Sequence, residues 1–237
     1  MSSFVLVHGA WHGGWCWHRI VERLEAMGHR AVAPDMPGHG DDDTPIESVT
    51  LDDIVDRVCE TIDIQDEKVV LVGHSYGGAM ITQAAERRAD RIKSLVYLTA
   101  FLLDDGQTVM DLAREDGANK LNGKVDMSEG EVTASVQPHA IRECFYGECS
   151  DADVAFATER LRPEAVAGLR TPMRTSAAKF GRLPRTYIEC LRDNAISLAM
   201  QRRLHAALPC QRVFRLDTDH SPFFSAPDAL TEALGRL

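Results

Sequence analysis

Short runs that are apolar at consecutive positions, rather than at alternating ones, recur along this chain and confine it to a narrow class of folds. They are residues 4–8, 30–34, 68–72, 92–99, 185–190 and 211–216. A strand with one face in water alternates apolar and polar side chains. A strand that is apolar throughout is covered on both faces, as in a parallel sheet. The segments between these runs have helical spacing. Residues 17–27 set Ile20, Val21, Leu24 and Met27 on one stripe and stop at Gly28. Residues 51–62 set Leu51, Ile54, Val55, Val58 and Ile62 on another, behind a Thr50/Asp53 capping box. Residues 77–88, rich in small residues, and residues 197–207 and 227–236, the last behind Ser225-Ala226-Pro227-Asp228, also read as helices. This alternation predicts an α/β fold with a six-stranded, mostly parallel, doubly wound sheet.

The rhythm breaks over residues 104–184, which hold no clear strand and several weak helical patterns. The expectation is a helical cap inserted between the fourth and fifth strands. The core would then comprise residues 1–103 and 185–237, forming a single structural unit with the cap. At 237 residues such a core is large enough to need no metal or disulfide staple. The six cysteines include no C-x-x-C pair, and Met1 to Phe4 carry no basic leader pattern. The expectation is therefore reduced thiols and a cytoplasmic protein. The net charge of −10 argues against nucleic acid or an anionic membrane as partner. No apolar run approaches the ~18–20 residues of a membrane span. Asp41, Asp42 and Asp43 read as a solvated loop.

The chemistry concentrates at Gly73-His74-Ser75-Tyr76-Gly77. G-x-S-x-G between a buried strand and a small-residue helix is a nucleophile elbow, whose tight turn projects the serine from the carboxyl edge of a sheet. A serine needs a base to attack at neutral pH. His220 lies just beyond the last strand, at that same edge, and is the candidate base; His74 and His8 read as structural. The base in turn needs an acid to hold its tautomer. Asp193, after the fifth strand, is the candidate acid, with Asp104 or Asp105 as the alternative. The oxyanion of an acyl-transfer intermediate needs preorganised N–H donors. The amides of Tyr76 and Ala10 are expected to supply them, with Trp11 as the alternative to Ala10. Other chemistries fail on inspection. Gly9 to Gly14 has phosphate-loop spacing, but Trp15 stands where lysine is required. Gly38-His39-Gly40 lacks the third glycine of a dinucleotide fingerprint, and His8 with His12 lacks the glutamate of a zinc helix. No metal or cofactor is expected.

With these residues in place, residues 4–17, FVLVHGAWHGGWCW, resemble the opening of the hydroxynitrile lyase and plant methylesterase branch of the α/β-hydrolase superfamily. Gly73 to Gly78, Asp193 and Asp219-His220-Ser221-Pro222-Phe223 are similar to its elbow, acid and base segments. Cys144-Phe145-Tyr146-Gly147 and Leu161-Arg162-Pro163-Glu164 echo its cap. The resemblance spans nearly the whole chain and is weakest at about 104–140. It implies an α/β-hydrolase fold and suggests a homodimer. Cyanohydrin lyases of this branch have threonine after the first-strand histidine and lysine after the catalytic histidine. Here those positions are Gly9 and Ser221, so the resemblance implies a serine esterase; the apolar pocket candidates, with no charged residue placed as a carboxylate or phosphate clamp, point to small, largely apolar or aromatic esters. Trp11, Phe101, Leu102, Phe145, Tyr146, Phe156 and Phe223 are the candidate substrate contacts. The alternatives are a carbon–carbon lyase or hydrolase, for which inactivity on simple esters would speak, and a non-catalytic ligand receptor, for which slow turnover with retained product would speak.

Overall fold

The computed structural model describes residues 1–237. Its main sheet has six strands: β1 (Ser3–Val7), β2 (Arg30–Val32), β3 (Val69–His74), β4 (Ile92–Leu98), and, after the cap, β8 (Arg185–Cys190) and β9 (Arg212–Leu216). They lie in the order β2-β1-β3-β4-β8-β9, and every pair is parallel. Each expected run forms a strand. The chain leaves β1 for β2 on one side and returns to β3 on the other. The carboxyl ends of β1 and β3 therefore flank the topological switch point, where an open α/β sheet has its crevice.

Consecutive apolar residues on the four central strands feed two different cores, whereas the edge strands β2 and β9 are largely exposed and bury only Ala31 and Leu216. Val5, Val7, Leu71, Leu95, Tyr97 and Tyr187 pack on one face of the sheet. Phe4, Leu6, Val70, Val72, Val96, Leu98 and Ile188 pack on the other. Helices α2 (Leu51–Asp63) and α3 (Gly77–Arg88) cover the first face, and α1 (His18–Ala26), the short α9 (Pro222–Ser225) and α10 (Pro227–Gly235) the second. Helix α8 (Leu198–Ala207) packs beside β8 and adds Met200 and Leu204 to the first core. All six cysteines are free. No helix is long and apolar enough to cross a membrane.

The segment 104–184 differs from the expected all-helical cap. It contains helices α4 (Val109–Glu115), α5 (Ile141–Phe145), α6 (Asp151–Thr158) and α7 (Val166–Arg170). It also holds a three-stranded antiparallel sheet of β5 (Val125–Met127), β6 (Thr133–Val136) and β7 (Glu164–Ala165). These strands are two to four residues long. A period-2 pattern needs about four residues to register, so the sequence carries no usable signal for them.

Helix α2 begins as its sequence dictates. The Thr50 hydroxyl accepts from the Asp53 amide, and the Asp53 carboxylate accepts from the Thr50 amide at 2.9 Å. Together these satisfy two of the donors that a helix start leaves free. Replacing Thr50→Ala is expected to lower stability by about 1 kcal/mol, read as a lower urea midpoint with an unchanged slope.

Candidate active site

The site is built on an elbow that only a restricted set of side chains allows. Ser75 sits at φ +54°, in the left-handed region that disfavours any residue with a Cβ. Its backbone is held there from both sides. The Ser75 amide donates to Leu98 O at 3.3 Å, and its carbonyl accepts from Gly78 and Phe101 N–H, each at 3.1 Å. The neighbouring chain passes so close that side chains are excluded. A Cβ on Gly73 would lie 2.5 Å from Gly77 O, and one on Gly9 would lie 2.8 Å from Ser75 Cβ.

His220 and Asp193 meet at this edge. His220 Nδ1 lies 2.7 Å from an Asp193 carboxylate oxygen, with both side chains buried. A carboxylate only accepts, so Nδ1 carries the proton and Nε2 is left as the basic nitrogen. The Asp193 carboxylate is fully engaged. Its other oxygen accepts from Ala195 N (2.6 Å) and Ile196 N (2.9 Å), and Thr99 Oγ1 donates to the oxygen that faces His220. The His220 main chain is fixed by His74, whose Nε2–H donates to the His220 carbonyl at 2.8 Å. The Asp219 carboxylate accepts from Glu148 N of the cap at 2.7 Å. Ser75 Oγ is not hydrogen-bonded in this arrangement, and such contacts commonly tighten only when substrate binds. Asp104 and Asp105, the alternative acids, are exposed and bond to the loop they sit in and to Thr175 N.

Two backbone donors beside Ser75 have no acceptor: the amides of Ala10 and Tyr76 donate to no protein group. Trp11, the alternative donor, is already committed, since its amide donates to Glu164 Oε2 at 3.2 Å. The Ala10 N–H belongs to the Gly9–Ala10 peptide, whose carbonyl accepts from His8 Nδ1 at 2.9 Å. His8 Nε2 accepts from Met36 N–H at 3.1 Å, which fixes the neutral Nδ1–H form. Because C=O and N–H of a trans peptide point opposite ways, His8 aims the Ala10 donor. His12 repeats the device one peptide later: Nδ1 bonds to Ala10 O at 2.8 Å, and Tyr146 Oη lies 2.6 Å from Nε2.

Ala10, Trp11, Ser75 and Tyr76 open onto a cavity of about 310 Å³. Its wall is apolar, drawn from Phe101, from Val109, Met110 and Ala113 of α4, and from Leu121, Leu169 and Ile196. Of the candidate substrate contacts, Trp11 and Phe101 line it. The other five do not. Leu102 is buried in the core on the α2/α3 face. Phe145 stacks behind the site against Trp11 and His220, with ring centroids at 5.6 Å from each. Tyr146 is turned to His12. Phe156 packs on Trp15 beneath the Arg160 guanidinium, and Phe223 lies between His74 and Trp17. A more polar cleft of about 450 Å³, lined by Asp35, Asp41, Glu159, Arg160 and Arg162, holds none of these groups.

A sequence model of the alpha/beta hydrolase family matches residues 4–233. A putative chloroplastic methylesterase of Arabidopsis thaliana is 33% identical over 98% of this chain, which spans 63% of that relative's length. A pheophorbidase of Raphanus sativus is also 33% identical, over 96% of this chain and 90% of its own length. Among solved structures, a methylesterase from Arabidopsis superposes with a TM-score of 0.88 at 27% identity, covering 100% of this chain and 98% of that one.

The buried histidines carry a pH signature. Burial, together with the neighbouring His39, holds His8 well below the ordinary 6.5. Burial lowers His12 to about 3. Burial and the adjacent His220 depress His74 strongly. In the unfolded chain all three would regain ordinary values, so below about pH 6.5 unfolding takes up protons. The stability present at neutral pH is lost as pH falls. Three such protons correspond to a slope of up to roughly 4 kcal/mol per pH unit. Urea unfolding between pH 6 and pH 5 is expected to approach that slope; one below the equivalent of a single proton would contradict the neutral assignments.

Proposed function

Because the chain belongs to the alpha/beta hydrolase family, we propose that it is a serine esterase that hydrolyses small, largely apolar or aromatic carboxylic esters through an acyl-enzyme. The observation that carries this reading is the pair of unclaimed amides, Ala10 and Tyr76, flanking a strained Ser75 at the wall of an apolar cavity. The methylesterase and pheophorbidase relatives support ester hydrolysis as the reaction class. Buried donors without acceptors are costly, at about 1–3 kcal/mol each, and a site that keeps two of them has an anion to receive.

In the proposed cycle Ser75 Oγ attacks the ester carbonyl while His220 Nε2 takes its proton. Asp193 keeps the proton of Nδ1 in place and stabilises the imidazolium that forms. The Ala10 and Tyr76 amides receive the carbonyl oxygen as it becomes an oxyanion. His220 then protonates the departing alcohol. Water, deprotonated by the same imidazole, attacks the acyl-enzyme and releases the acid. The apolar wall favours an uncharged acyl or alcohol group of modest size, with Arg114, Asn119 and Asn122 as its polar exceptions. Gly9 and Ser221 favour ester hydrolysis over cyanohydrin cleavage, since no cation follows His220 to hold a departing cyanide.

The reading is tested on a panel of short p-nitrophenyl and naphthyl esters. Ser75→Ala is expected to lower kcat by roughly 10⁴–10⁶-fold while the protein stays folded. A folded wild type without turnover, or an alanine variant as active as wild type, would overturn it. Asp193→Asn is expected to cost about 10⁴-fold in kcat with little change in KM, because the amide stabilises the wrong imidazole tautomer.

A further inference from the structure

The turn that supplies the Ala10 donor is held from outside the core. Trp11 stands at φ +65°, a conformation that a bulky residue keeps only when its surroundings over-determine it. Those surroundings are the cap. The Trp11 amide donates to Glu164 Oε2, its carbonyl accepts from Arg162 N at 3.0 Å, and its indole Nε1–H donates to Ala134 O at 2.9 Å. All three partners lie within residues 104–184. Only one of them, Glu164, acts through a side chain and can be altered without touching the cap backbone.

We propose that Glu164 is a positioning residue for the oxyanion hole, whose carboxylate engages the Trp11 amide and so holds the turn in the arrangement that leaves the Ala10 amide free. The inference rests on the esterase reading above. Glu164 is fully buried on β7, where a carboxylate needs partners. Two amides donate to it, Trp11 N–H on one oxygen and Ala165 N–H at 3.1 Å on the other, and His39 Nε2 lies 3.2 Å from Oε2. Burial works against a charge on His39, but the Glu164 carboxylate and the Pro37 carbonyl at Nδ1 outweigh it and raise the imidazole. Removing the acceptor leaves the part-buried Trp11 N–H unpaired. The peptide then relieves itself by rotating, and the Ala10–Trp11 link carries that rotation into the hole. Displacements of about 1 Å at a catalytic donor can cost 10²-fold in rate.

Glu164→Gln keeps an acceptor oxygen at the same reach and removes the charge. Glu164→Asp keeps the charge and withdraws the acceptor by about one bond, ~1.5 Å. Glu164→Ala removes both. On p-nitrophenyl acetate, kcat is expected to fall roughly 10–100-fold in the Ala and Asp variants and by no more than about threefold in the Gln variant, with KM within about twofold in all. Affinity for a trifluoromethyl ketone, whose adduct with Ser75 places an oxyanion in the hole, is expected to fall in parallel with kcat. Binding of the ester itself in a Ser75→Ala background is expected not to change.

Three results would overturn the proposal: full kcat in Glu164→Ala, a Gln variant more impaired than the Asp variant, or losses confined to KM. The second would mean that charge on His39 matters rather than the acceptor at Trp11. If the Ala variant fails to fold, the Gln and Asp pair decides. A wild type inactive on every ester would count against the esterase reading; an active wild type with indifferent Glu164 variants counts against this inference alone.

Discussion

The contact on which the rest depends is the approach of the start of α3 to the ends of β1 and β4. A Cβ on Gly77 would lie 2.7 Å from His8 O, and one on Gly78 would lie 2.5 Å from Phe101 O. No side chain fits at either place, so two glycines let a helix begin directly over three strand ends. This closeness brings the Ser75 turn against Gly9, and hence the candidate nucleophile against the first-strand loop. Neither partner is near the other in sequence. The sheet order makes them neighbours, since β1 and β3 are adjacent and parallel.

Once that contact is set, the site is governed by the hydrogen-bond accounting of a dry interior. Many of the buried polar groups near Ser75 have a designated partner, although His74 Nδ1, Tyr76 Oη and Ser221 Oγ have none. His8 serves Gly9 O and Met36 N, His12 serves Ala10 O and Tyr146, and Asp193 takes four donors. The amides of Ala10 and Tyr76 are likewise without an acceptor, and they belong to residues that line the cavity beside Ser75. The histidines do this work uncharged. A protonated His8 would have no lone pair for the Met36 amide, so the low affinity for protons that burial imposes keeps the turn in shape.

The sheet and the elbow were legible because they follow from local rules. Parallel strands must be apolar throughout, and a serine turn of this kind must have small residues on either side. Ser75, Asp193 and His220 could be placed because each follows a strand, and the carboxyl ends of parallel strands share one edge. The cap obeyed no such rule. Its strands are too short to show a period, and its cavity is lined mainly by ordinary aliphatic residues such as Met110, Leu121 and Ile196. Aromatic identity was a poor guide there. Phe145, Tyr146 and Phe223 pack around His12, His74 and His220 as the support of the site, not as its wall. Glu164 and His39 were invisible for a related reason: a buried contact between a carboxylate and an imidazole across 125 positions leaves no trace in either local sequence.

The cap therefore has two duties that share residues. Trp11 forms part of the cavity wall and is also the residue by which Glu164, Arg162 and Ala134 grip the turn proposed as the oxyanion hole. Reshaping the cap for a new ester would press on the same turn that holds the Ala10 donor. Under the esterase reading proposed above, selectivity and turnover are coupled by construction, because the segment that lines the cavity is also the clamp on the Gly9–Trp11 backbone. Changes at α4, which touches the cavity through Val109, Met110 and Ala113 and makes no hydrogen bond to Trp11, offer a way to alter the wall while leaving that clamp in place.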